Sequence, residues 1–424
     1  MNIAAALLLL VVQSRVITLD EALKTAEAGQ PQLRQAHANS DAAEARAKQS
    51  FAPLLPEVKI IGLIERTTGN RNSKPTRPLI VVPASTWQAW DFFNFGVAAS
   101  QTVWDSGQTW NRWRAAKEKV EAQRQTEQLT KLEVVLLVRT TYFSAWAQKE
   151  MVAVGRSALA NQERHLGQIA GFVEVGTRPQ IDLAQAKSDR ANAKLMLIDA
   201  ESAYASAKAA LNQAMGVTGS IDYEVAEERL LAVPGEDGAT APLVEQALGA
   251  RPDLAGLHHQ VNAQLLGLKA IRGAYFPTLT ASAVASEVGT DLGQMAWNVG
   301  GLLTLTWPLF QGFLTVGQER EARASLAALG AAGDLIVQQI WSSVEQAQVA
   351  VQAAKERLVA AEEAATAAGE RLRLAEGRYE TGVGNAIELG DAQLGFTAGE
   401  AQQVQAAYNL ASARARLLAA LGRP

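Results

Sequence analysis

Two periodicities alternate along this chain. Val135, Val138, Tyr142 and Ala145 keep an i, i+3, i+7, i+10 spacing, and Trp341, Val344, Gln348 and Val351 repeat it further on. Residues 108–173 contain no proline, only the weak points Gly155, Gly167 and Gly171. The spacing therefore predicts one helix of about 65 residues, roughly 100 Å long. A helix of that length outruns any ordinary globular body and needs neighbours along its whole course, as in a coiled-coil array. Elsewhere the period drops to two. Trp297, Val299, Gly301, Leu303, Leu305 and Trp307 fall on one face of a strand, and Asn298, Gly300, Leu302, Thr304 and Thr306 on the other. Phe93, Phe95, Val97 and Ala99 alternate in the same way with Asn94, Gly96, Ala98, Ser100 and Thr102. Two more strands are predicted near 58–66 (VKIIGLIER) and 278–286 (TLTASAVAS), each with about nine residues, enough to cross a bilayer when tilted. Trp87, Trp90, Trp297 and Trp307 are candidates for interfacial girdles. By itself the alternation fits a membrane barrel or a half-buried sheet packed on helices. Four strands cannot close a conducting pore, so the membrane reading requires several copies of the chain.

The pattern is written twice. A shift of 206 positions brings Trp104-Asp105-Ser106 onto Phe310-Gln311-Gly312, Arg114 onto Arg320, Val138 onto Val344 and Asp182-Leu183 onto Glu388-Leu389. The register holds without a gap over a long stretch, and one inserted residue would turn every later side chain by about 100°. The two copies must therefore present equivalent faces. A looser echo pairs AEARAKQSFAPLLPEVKI (43–60) with LKAIRGAYFPTLTASA (268–283). The expected organisation is a signal peptide at 1–14, a first repeat at 15–216, an irregular connection at 217–250 and a second repeat at 251–424. Each repeat reads as a helix, two strands and a long helical hairpin. Gly176 with Pro179, and Gly382 with Gly384, break the hairpins.

Composition narrows the function. The net charge is -4 with acids and bases mixed, which gives no electrostatic footprint for nucleic acid. The chain has no cysteine, so disulfides, thiolate metal sites and cysteine nucleophiles are excluded. The run Ile3 to Val12 is too short to span a bilayer as a helix and matches the apolar core of an export signal. His37, His165, His258 and His259 are not at ligand spacing and read as structural or surface residues. No nucleophile elbow, phosphate loop or metal-ligand set is present, so no enzyme and no cofactor is expected.

The stretches TLDEALKTAEAGQPQLRQA (18–36), ARPDLAGLHHQVNAQLLGLKAIRGAYFPTLTASA (250–283), WPLFQGF (307–313) and YETGVGNAIELGDAQ (379–393) together resemble the TolC family of outer membrane efflux channels. The resemblance covers nearly the whole chain in order, with the duplication. It implies a mainly α fold with a β-barrel part. A homotrimer would form a 12-stranded membrane β-barrel, continued by a long periplasmic α-helical barrel. The partners implied are outer membrane lipid, a periplasmic adaptor (membrane fusion) protein and an inner-membrane pump. The function implied is the exit duct of a tripartite efflux system, passing drugs or metal ions unchanged. A type I protein secretion outlet is the alternative within this class, and a soluble coiled-coil scaffold the alternative outside it.

By the match to IELGDAQ, Glu388 and Asp391 would form acidic rings at the narrow channel entrance, with Ile387 on a neighbouring apolar ring. Asp182 is the first copy's equivalent, but Gln185 stands where the second acid would be. The turns Val175-Gly176-Thr177 and Thr381-Gly382-Val383 match the adaptor-contacting tips, although Thr177 departs from the hydrophobic residue the family often has there. The loop 67–86, with Lys74, Arg77, Pro75, Pro78 and Pro83, would face outside the cell.

Overall fold

In the computed structural model, residues 15–68 and 87–424 are described, with the backbone alone for Trp90. The expected signal peptide at 1–14 and the loop residues 69–86 lie outside the described residues. The elements are β1 (Arg15–Ile17), α1 (Leu19–Gly29), α2 (Pro31–Phe51), β2 (Glu57–Thr67), β3 (Trp90–Trp104), α3 (Gln108–Glu174) and α4 (Gln180–Met215). They continue with β4 (Tyr223–Val225), α5 (Thr240–Ala250), α6 (Pro252–Gly273), β5 (Thr278–Gly289), β6 (Ala296–Thr306), α7 (Leu314–Glu380) and α8 (Ala386–Ala420). Among the described residues no helix is long and apolar enough to cross a membrane.

The long helices hold the internal register. α3 and α7 each have 67 residues, about 100 Å of helix. The turns after them are built alike. Gly176 and Gly382 both stand at φ 76°, where a side chain would be strained. The amide of Thr177 then donates to the carbonyl of Phe172 at 2.9 Å, and that of Val383 to Arg378 at 3.0 Å, satisfying the last carbonyls of each helix. Asn385 caps α8 by accepting from the Glu388 amide at 2.7 Å.

The contacts divide the chain into two compact units. Among the described residues, one comprises 15–38, 125–254 and 334–424. Its core is laid along the middle of α3 and α7 and the ends of α4 and α8. Val138, Tyr142 and Phe143 of α3 pack with Leu211 and Met215 of α4 and with Val225 of β4. Ile340, Val344 and Val351 of α7 pack with Leu417 and Leu421 of α8. The predicted stripe is buried at Val138, Tyr142, Ala145, Val344 and Val351, but Trp341 is 45% exposed. Ile340, one turn before Val344, takes the core position instead. The connection 217–250 is also more ordered than expected. β4 pairs in parallel with β1, and α5 forms because Leu243, Val244 and Ala247 share one buried face. Glu236, 2% exposed, anchors the connection. Its carboxylate accepts from Arg414 at 2.9 Å and pairs with Lys355 at 2.5 Å.

Among the described residues, the other unit comprises 39–68, 87–124 and 255–333. Its centre is a four-stranded antiparallel sheet in the order β2-β3-β5-β6, so the two copies meet at β3 and β5. β2 and β3 run one to three residues beyond their predicted ends and β5 ends three residues later than predicted, whereas β6 stops at Thr306, one residue short of Trp307. Below the sheet, Ala43, Ala47 and Val120 pack together, as do Ala115, Ala263 and Leu266. Small residues let these helices approach closely.

Candidate functional site

The sheet has one apolar and one polar face, and the register makes them continuous. Ile60 pairs with Val97, Val97 with Ala285, and Ala285 with Val299, so the row lies on one side of all four strands. Ile64, Phe93, Phe95, Leu303 and Leu305 extend that side, and Ile60 is 87% exposed. The opposite side carries Lys59, Asn94, Ser100, Thr280, Ser282, Asn298 and Thr304. Along β5 the apolar-face residues Ala283, Ala285 and Glu287 are exposed, whereas Val284 is half-buried and Ser286 buried. The sheet thus curls toward its polar face. Gly96 permits the curl: a Cβ there would lie 2.4 Å from the Cβ of Ser286 and 2.5 Å from a backbone carbonyl oxygen. Trp87 and Trp297 sit at one end of the strands and Trp307 at the other, all strongly exposed.

The hairpin turns carry the remaining predicted residues. The first-copy Val175 and the second-copy Val383 are exposed at 71% and 72% beside their glycines. Ile387, on the first turn of α8, is exposed at 74%. Asp391 is exposed one turn later and has no ion pair among the described residues. Glu388 is half-buried and faces Arg378 of α7 at 3.3 Å. Asp182 is half-buried on the first turn of α4, with Arg178 at 3.9 Å. The two hairpins are packed together behind these residues. Ile169, Ala186, Leu372, Ala375, Tyr379 and Leu389 form a shared apolar cluster.

Sequence reasoning singled out the acids and missed what faces them. Arg178 lies over the ring of Tyr379, 5.2 Å from its centroid, and so ties the first turn to the second hairpin. Tyr379 is 3% exposed and stacks edge-on against His165, itself 7% exposed. Neither the Tyr379 hydroxyl nor Nδ1 of His165 has a hydrogen-bond partner among the described residues. Burial lowers the pKa of His165, against opposing contributions from Asp189 and Gln168. Burial likewise raises that of Tyr379, with Arg178 opposing and Asp182 reinforcing the shift. Gln162 donates to Gln393 at 2.9 Å, a second polar tie between hairpins. Two other histidines face acids: His259 faces Glu118 at 2.8 Å and His37 faces Glu127 at 3.1 Å. The signal for these ties was available only as residue type, because their partners lie from 4 to more than 200 positions away.

A curled sheet with a continuous apolar face, joined in sequence to pairs of very long helices, is the arrangement of a membrane channel protein with a helical extension. Residues 22–217 and 243–423 match the outer membrane efflux protein family, and the chain belongs to that family. The outer membrane efflux protein BepC of Brucella suis is 25% identical over 77% of this chain and 72% of its own length. The toluene efflux pump outer membrane protein TtgF of Pseudomonas putida is 26% identical over 73% of this chain, which spans 65% of that relative. The crystal structure of the outer membrane protein VceC from Vibrio cholerae superposes with a TM-score of 0.79 at 18% identity, covering 96% of each chain. The protein is thus an outer membrane efflux channel component of the kind that serves tripartite systems, with α-barrel and β-barrel parts.

Proposed function

We propose that three copies of the chain join through the edges of β2 and β6 into a twelve-stranded barrel, continued by a periplasmic α-helical barrel. The observation that carries this reading is the apolar face: it crosses all four strands and ends at two edges that are unpaired among the described residues. Unpaired strand edges do not persist in hydrocarbon, so each must find a partner strand. The polar face would then line the pore.

The duct would receive substrate from an inner-membrane pump through a periplasmic adaptor and pass it on unchanged. Relatives named for efflux, one of them for toluene efflux, favour small molecules over the proteins of a type I secretion system. Ile387, Glu388, Asp391 and Asp182 form the channel entrance in this reading. Asp391 supplies the unneutralised acidic ring, since Glu388 and Asp182 each face an arginine. Rings of acids bind cations and repel anions. Val175, Gly176, Thr177, Thr381, Gly382 and Val383 form the adaptor-contacting tips, which is supported by two exposed valines beside rigid glycine turns.

Electron microscopy of particles extracted from membranes in mild detergent tests the assembly. A threefold cylinder with one detergent-belted end and a helical stem of about 100 Å is expected. A soluble monomer or a two-fold rod needing no detergent would contradict it and return the scaffold reading.

A further inference from the structure

The two copies differ sharply where the strands meet the long helices. In α7, Glu319 accepts from Arg272 at 2.9 Å, from Arg323 at 2.7 Å and from the Tyr275 hydroxyl at 3.1 Å. Glu319 thus neutralises Arg272 and Arg323, while Arg320 has no ion pair among the described residues. The repeat register puts Trp113 of α3 at the position of Glu319, Arg114 at that of Arg320 and Lys117 at that of Arg323. With the acid replaced by an indole, Arg114 and Lys117 have no ion pair among the described residues. Trp113 packs against Phe51 at 5.2 Å and Trp110 at 4.8 Å, and Nζ of Lys117 stands 5.1 Å over its ring.

Trp110, Trp113, Arg114 and Lys117 are spaced i, i+3, i+4 and i+7, so two aromatics and two cations share one helix face. Trp110 is 49% exposed, and Arg114 and Lys117 are exposed. The stripe begins six residues after Trp104, which closes β3 on the apolar side of the sheet, in the row of Leu279 and Leu305. It therefore follows directly from the surface that meets lipid. Indoles favour the headgroup level of a bilayer, and cations there attract acidic lipid.

We propose that this stripe is a binding site for the headgroup of an anionic phospholipid in the periplasm-facing leaflet. Arg114 and Lys117 hold the phosphate, and Trp110, Trp113 and Phe51 lie against the glycerol and upper acyl chain. Two unpaired cations select a headgroup with net negative charge over a zwitterionic one, whose own ammonium they would repel. The proposal rests on the membrane placement of the sheet and assigns a lipid preference beyond it.

The test is native mass spectrometry of the full-length protein released from nanodiscs containing equal phosphatidylglycerol and phosphatidylcholine. Retention of phosphatidylglycerol is expected to exceed that of phosphatidylcholine by roughly thirtyfold, the attraction of two basic residues to an anionic surface. The Arg114→Gln/Lys117→Gln variant should bring the two lipids within about twofold of each other. Arg320→Gln/Arg323→Gln, the equivalent change in the second copy, should leave the preference in place. Equal retention by the unchanged protein, or a preference that survives the double variant, would overturn the proposal while leaving the channel intact. Displacement of phosphatidylglycerol by inorganic phosphate would assign the stripe to free phosphate and overturn it as well. A protein that does not enter nanodiscs would overturn both the barrel and this site.

Discussion

The guanidinium of Arg178 lies over the aromatic ring of Tyr379 at 5.2 Å, joining the turn of the first hairpin to the end of α7 in the second. The same arginine faces Asp182 at 3.9 Å. One side chain therefore couples a predicted entrance acid to the buried cluster that packs the two hairpins together. A partly desolvated cation–π contact is worth about 1 kcal/mol. As a hypothesis, Arg178→Ala loosens the packing between the two hairpins and raises the weight of wider arrangements roughly fivefold, the factor that 1 kcal/mol sets. Mean conductance in planar bilayers should rise; conductance equal to that of the unchanged protein would sink the idea.

Asp391 stands exposed and without a countercharge one turn beyond Glu388. In a threefold assembly its carboxylates would repeat around the axis. Each is worth about 1 kcal/mol to a cation at contact distance in water. Asp391→Ala is therefore expected to raise conductance and to weaken block by multivalent cations by at least about tenfold. Unchanged block and conductance would remove Asp391 from the entrance.

Glu236 fixes the connection between the copies. Burial raises its pKa, but hydrogen bonds from Arg414, Lys355 and the Val233 amide outweigh burial and hold it below the ordinary value of 4.5. A depressed carboxylate stabilises the fold above its unfolded pKa, and that contribution is lost as pH falls through the folded value. Thermal stability should therefore decline as pH falls from about 4.5 downward. Glu236→Gln should cost about 3 kcal/mol at neutral pH, because it leaves Arg414 and Lys355 without the charge they enclose. Melting curves at pH 7 and pH 4 decide this: a variant as stable as the parent at pH 7 would contradict it.

Gly96 and Gly300 give a contrast within one sheet. A Cβ at Gly96 would meet Ser286 and the Ala285 carbonyl at 2.4 and 2.5 Å, whereas one at Gly300 would meet Val284 at an ordinary 3.6 Å. Gly96→Ala should sharply reduce the yield of folded channel on a heat-modifiability gel, and Gly300→Ala should not. Equal yields would mean that the curl at β3 and β5 does not depend on this glycine.

What could be read from the sequence follows from the range of the interactions. The apolar face of β6 was legible because alternation along Trp297, Val299, Gly301, Leu303 and Leu305 is local. The gapless repeat placed Gly176 and Gly382 in equivalent turns, and both stand at φ 76°. Trp341 was misplaced because Ile340 beside it fits the same core better, a choice between neighbours that packing alone settles. The helix α5 was concealed by the prolines and glycines around it. Arg378 opposite Glu388 depends on how α7 packs on α8 within one hairpin, and Gln162 against Gln393 on how two hairpins pack; no periodicity within a single helix reports either.

The central claim is that β2 of one subunit pairs with β6 of the next to close a threefold barrel. The chain contains no cysteine, so introduced thiols are the only ones present. Ile60→Cys on β2 is combined in turn with Val299→Cys, Gly301→Cys, Leu303→Cys or Leu305→Cys on β6, and cells are oxidised before denaturing electrophoresis. One of these registers is expected to give a covalent trimer that reverts to monomer on reduction. Monomers throughout the series, or dimers that never close into trimers, would contradict the barrel.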